Sequence, residues 1–265
     1  AQQVIPVQPS QESGQGVTAA YEGWYPNADG TFSLVFGYFN RNTIQELDLP
    51  VGPANRIEPG GPDQGQPTHF LSRRQWGVFA IAVPKDFGKK KLTWTLTANA
   101  ATAEIPAGLD PLWELSPFVD ATKNTPPQLA FDANGPFAMG PRGSMKELTT
   151  QLPNPVSLDA WVADDASAVP GAARTRSPAA TLFWSKYRGP GEVRFGNERP
   201  AVEPAPMKVP AGAVFSGKAS TTATFTQPGE YILRLQANDW SGDGGRGFQC
   251  CWSNAQVKVS VTPAR

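Results

Sequence analysis

Gln227-Pro228-Gly229-Glu230-Tyr231-Ile232-Leu233-Arg234-Leu235-Gln236-Ala237-Asn238-Asp239 reads as a tight turn feeding a half-buried strand. Proline presets the first corner of a type II turn and glycine accepts the positive dihedral of the second, so Pro228-Gly229 is its expected centre. Tyr231, Leu233, Leu235 and Ala237 then alternate with Ile232, Arg234, Gln236 and Asn238, the period of a strand with one face in a core. Ser220 to Thr226, carrying Ala223 and Phe225, forms a strand before it. After it, Val257, Val259 and Val261 alternate with Lys258, Ser260 and Thr262. Similar short apolar runs recur between turns throughout the chain. With 26 Gly and 27 Pro, they predict an all-β fold of two tandem antiparallel β-sandwiches.

Two further stretches extend the pattern: Val156 to Asp165, a strand ending in an acidic turn, and Thr181 to Gly191, a strand around Trp184 with a Gly-Pro-Gly turn. Together, residues from Pro153 to Val261 resemble a PKD-like, immunoglobulin-like domain of exported bacterial proteins. The whole chain also resembles exported proteins of environmental bacteria. The resemblance implies an immunoglobulin-like sandwich, a periplasmic or extracellular location, and a spacer or interaction role. The start Ala1-Gln2-Gln3 suits a mature end left by signal-peptide removal.

Composition narrows the function classes. The 265 residues exceed one average domain, and 40% hydrophobic content with 8 Trp and 14 Phe is enough for packed cores. The 23 basic and 23 acidic residues cancel, so nothing draws the chain to nucleic acid. No apolar run has the length of a membrane span. The predicted organisation is an extended tail at 1–16, a β-sandwich at 17–116, a Pro/Gly-rich connector at 117–152 and the PKD-like sandwich at 153–265. Strands are expected at 17–25, 31–39, 76–83 and 92–98. Val51 to Thr68 reads as a long loop with a purpose, since loops of that length are otherwise uncommon.

Several constellations are candidates for chemistry. Asp239 and Asp243, in a loop rich in Asp and Gly, together with Asp164, suit a hard cation such as Ca²⁺. The competing reading is a hairpin whose Asp and Asn side chains cap the turn, and no other cofactor is expected. Adjacent Cys250 and Cys251 are either a vicinal disulfide or two thiols on opposite strand faces. His69 is the only histidine, so any Ser-His-Asp chemistry depends on it, and a structural role is expected. Trp24, Tyr25, Trp113 and Trp240 are candidates for stacking on sugar rings.

Without a catalytic constellation, the expected role is non-catalytic: a structural subunit docking on other subunits at the periplasmic face of a membrane-associated complex. A photosynthetic reaction centre–light-harvesting assembly is one host by analogy. The contact surfaces would be the apolar tip Val4, Ile5 and Val7 and the connector aromatics Phe131 and Phe137. A glycan- or surface-binding adhesion module, calcium-stabilised, is the alternative. A carboxylate-dependent hydrolase, which needs two converging acids in a cleft, is the third.

Overall fold

The computed structural model describes residues 11–121, 123–166, 179–239 and 250–264. Val4, Ile5, Val7, Trp240 and Asp243 lie outside them. Apart from one 3₁₀ turn at Pro111–Trp113, the regular elements of the described residues are strands.

The first sandwich contains β1 (Val17–Pro26), β2 (Phe32–Asn40), β3 (Leu47–Asp48), β4 (Asn55–Glu58), β5 (His69–Phe70), β6 (Arg73–Val83), β7 (Leu92–Ala98) and β8 (Ala101–Ala107). One sheet has the order β1-β2-β6, the facing one β4-β7-β8, and β3 pairs with β5. All these pairings are antiparallel. Leu34, Phe36 and Tyr38 alternate along β2, point inward and meet Phe79, Trp94 and Leu96. Phe36 stacks on Phe79 at 5.2 Å, and Trp94 lies edge-on to both. The indole N–H of Trp94 donates to Asn55 Oδ1 at 3.0 Å, so this buried polar group is satisfied. The second apolar face of β2 and β6 is covered too. The segment after β8 lays Leu115 and Phe118 over Tyr25 and Val35.

The second sandwich contains β9 (Gln128–Ala130), β10 (Ser144–Gln151), β11 (Val156–Asp164), β12 (Ala180–Arg188), β13 (Val193–Phe195), β14 (Phe215–Phe225), β15 (Gly229–Asp239) and β16 (Trp252–Thr262). Its sheets are β13-β14-β11-β9 and β10-β16-β15-β12. This is immunoglobulin-like order: the two leading strands split between the sheets, and β10 runs parallel to the last strand. Trp184 on β12 is fully buried at the centre of the core, and the Tyr231 hydroxyl donates to the Gln227 carbonyl at 2.8 Å, closing a tyrosine corner.

Three expectations need correction. Residues 117–152 are not a connector alone, because β9 and β10 within them complete both sheets of the second sandwich. Gly135, Pro136, Gly140, Pro141 and Gly143 fall between these strands, where the chain crosses from one sheet to the other, while Pro117, Pro126 and Pro127 precede β9. Val51 to Thr68 likewise holds a strand, β4, before its loop. At Pro228-Gly229, Gly229 has a φ of 142°, well beyond the ~80° of a type II corner. It begins β15 directly, paired with Val261. A side chain there would meet the Pro190 ring at 2.8 Å.

The sandwiches interlock. The loop after β4 presents carbonyls and an acid to the end of β12: the Arg188 guanidinium holds Asp63 bidentately at 2.8 and 3.0 Å and donates to Gln66 O at 2.7 Å. The Thr68 N–H donates to Tyr187 O at 3.1 Å, and the Tyr187 hydroxyl donates to Gly65 O. On the other side, Trp252 and Asn254 of β16 both donate to the Gly77 carbonyl, at 3.3 and 2.7 Å. Gly77 sits at a bulge with a φ of 47°, and its missing Cβ would lie 2.1 Å from the Trp252 ring. Tyr187 and Ile232 of the second sandwich pack into the core of the first.

Candidate functional site

Two places gather chemistry-bearing side chains. The first is one pole of the second sandwich. Along β11 the inward face runs Leu158, Ala160, Val162 and then Asp164; along β15 it runs Leu233, Leu235, Ala237 and then Asp239. The strand period that builds the core therefore turns two carboxylates inward at its end. Asp164 is 1% exposed and Asp239 3%. Burial pushes the Asp164 carboxyl up to about 7, and the charges of Asp165 and Asp239 push the same way against a hydrogen bond from the Ala166 N–H. Asp164 Oδ1 accepts that bond at 2.7 Å, while Oδ2 has no partner among the described residues.

The segment before β9 crosses this pole. Asn124 is fully buried; its amide N–H donates to Asp239 Oδ2, and its Oδ1 is unpartnered. The Thr125 hydroxyl donates to Asp165 Oδ2 at 2.9 Å. Cys250 and Cys251 form the vicinal disulfide, buried beside this segment. The Asn124 carbonyl oxygen lies 3.5 Å from Cys251 Sγ, a contact rather than a hydrogen bond because a disulfide sulfur carries no proton. Of the two readings open for the cysteines, the structure takes the disulfide. It brings Asp164 and Asp239 to one place, and Asn124 is the contributor that sequence reasoning missed. A buried Asn between Pro-rich segments gave no periodic signal. Among the described residues, no three His, Cys, Asp or Glu side chains are grouped as a metal site.

The second place is a groove of about 710 Å³ between the sandwiches, with Glu46, Asp48 and His69 on one wall and Phe183, Lys186, Glu192 and Phe195 on the other. His69 Nδ1 faces Asp48 at 3.0 Å and Nε2 faces Glu46 at 2.9 Å. Both nitrogens donate only when the ring is a cation. Burial opposes that charge, but the bonds to Asp48 and Glu46 outweigh it and raise the His69 pKa. For Asp48 burial again works against charge, yet the bonds from His69 and Lys186 hold its pKa down at about 2. Lys186 reaches Asp48 from the second sandwich at 3.0 Å. The groove is thus an ion-paired seam in which His69 has no nitrogen free to act as a base.

The other candidates separate. Trp24 and Tyr25, expected as exposed stacking surfaces, are buried in the first sandwich at 9% and 3% exposure, because β1 is covered on both faces. Trp113 is 48% exposed. Trp76, at the start of the strand expected at 76–83, is 36% exposed with the Arg74 guanidinium 3.8 Å above its ring. The bulge at Gly77 shifts the register there and turns the indole outward. Phe131 packs against the second core, and Phe137 is half-buried. No described helix is long and apolar enough to cross a membrane.

No protein-family model matches the chain, and no curated protein is similar to it. Among solved structures it is similar to a titin A168–A169 fragment (11% identity, 94% of this chain and 100% of that one, TM-score 0.25). It is also similar to domains 4 and 5 of the S-layer protein SbsC (9%, 94% and 98%, TM-score 0.26). A third is CfaE, the adhesive subunit of CFA/I fimbria of enterotoxigenic Escherichia coli (8%, 98% and 82%, TM-score 0.25). Likeness this distant says nothing of how the two sandwiches are arranged or what they bind. The strand order and the tyrosine corner are what make the second sandwich immunoglobulin-like.

Proposed function

We propose that the chain is an exported, non-catalytic interaction subunit: a stiff two-sandwich body that docks on protein subunits at the outer face of a membrane. The interlock between the sandwiches carries this reading. Two domains tied by a bidentate Arg188–Asp63 pair, a shared Gly77 carbonyl and interdigitated core residues hold one fixed shape. A fixed shape presents a docking surface without an ordering cost on binding. The vicinal disulfide supports an oxidising compartment, since such bonds persist outside the cytosol. His69, clamped on both nitrogens, supports a role without acid–base catalysis.

The test is gentle detergent extraction from the native source, followed by gradient sedimentation and mass spectrometry. The chain is expected to travel with integral membrane proteins in fixed ratio, with an intact mass two hydrogens below that of the dithiol. Sedimentation alone as a particle of 28.4 kDa overturns the docking role.

A further inference from the structure

We propose that the Asp164–Asp239 pole of the second sandwich binds one hard divalent cation, Ca²⁺ by its chemistry, through these two carboxylates and the side-chain carbonyl of Asn124. The argument starts from oxygen atoms without partners. Among the described residues, Asp164 Oδ2 and Asn124 Oδ1 are buried acceptors with no donor. Each such group is costly unless something meets it, and more so when it is charged. Both belong to side chains that are 1% exposed or less. Asn124 has its amide N–H on Asp239, which holds the unpartnered oxygen of the same amide beside that second carboxylate.

Asp164 and Asp239 end the inward faces of β11 and β15, so one pole of an apolar core carries two acids. Two carboxylates buried together at the end of an apolar core repel each other and are poorly solvated, which is costly. A divalent cation reverses that cost and gives each orphaned oxygen a partner. All the donors are oxygens, two anionic and one amide, the set preferred by Ca²⁺ and disfavoured by Zn²⁺ or Cu⁺. Ca²⁺ also tolerates an irregular shell better than Mg²⁺, which keeps its waters and asks for octahedral geometry.

The experiment uses the full chain, stripped with a chelator, and follows thermal unfolding and calorimetric titration with CaCl₂ and with MgCl₂. Ca²⁺ is expected to bind at one site per chain and to raise the midpoint by about 5 °C or more at ~100-fold excess over Kd. Asp164→Asn keeps the shape of the side chain and removes its charge. It is expected to fold, with Ca²⁺ affinity at least about tenfold weaker. Asp48→Asn, at the seam, is expected to keep the full Ca²⁺ response. No Ca²⁺-dependent shift in the wild type means that a proton or a water meets these oxygens, and overturns the site. An undiminished shift in Asp164→Asn overturns it as well, and an equal response to Mg²⁺ overturns the assignment to calcium.

Discussion

Asp164, buried, and His69, half-buried, are titratable groups with opposite effects on stability. The folded state raises the Asp164 carboxyl to about 7, so it holds that proton more tightly than the unfolded chain does. Its penalty is complete above about 7 and gone below the ordinary carboxyl range near ~4. In chelator, Asp164→Asn is therefore expected to gain about 2–4 kcal/mol at pH 8, with the gain vanishing by about pH 4 in denaturant titrations across pH. His69 is the reverse. Its folded pKa is raised, so its contribution is full below the unfolded value of ~6.5 and is lost as pH climbs through the folded value. His69→Gln is expected to cost more at pH 5 than at pH 9. Asp48 adds an acid limb: its pKa of about 2 gives stability above the ordinary range that is lost as pH falls towards that value.

Strands carry the fold, and their ends carry the specificity. The tyrosine corner ties the start of β15 to the chain before it: the Tyr231 hydroxyl donates to Gln227 O and accepts from the Gly191 N–H at 3.1 Å. Tyr231→Phe removes both bonds in a fully buried place and is expected to cost about 1–3 kcal/mol, read from the urea midpoint at constant m. At β6 the bulge at Gly77 does two things. It turns Trp76 out, and it opens a carbonyl to Trp252 and Asn254. Gly77→Val puts a branched side chain at positive φ and into the Trp252 ring. The expected loss is about 3 kcal/mol or more, measured by the same titration. Alternation gave the inward face of β15, but not that Arg234 and Gln236 on its other face are buried as well. The outward turn of Trp76 was not legible, because a bulge shifts the period by one and nothing local in Arg73 to Val83 announces a bulge except the glycine.

In the whole molecule the two sandwiches are one mechanical unit. Tyr187 and Ile232 belong by chain to the second domain and by packing to the first core. Calorimetry is therefore expected to show a single cooperative transition, and two separated transitions would mean that the interlock contributes little. The sequence alone determined the all-β class, the strands β1, β2, β11, β15 and β16 and the inward faces of β15 and β16, because period-2 burial is written in neighbouring residues. It also placed Asp164 and Asp239 at strand ends. Only the tertiary structure decided that these ends meet at one pole under Asn124 and that 117–152 supplies β9 and β10. It alone decided, too, that the loop after β4 docks on β12 and that Cys250 and Cys251 are joined. All but the disulfide are pairings between residues far apart in the chain. Pairings of that kind are set by which surfaces are left to bury once the local pattern is satisfied, and no stretch of neighbouring residues records them.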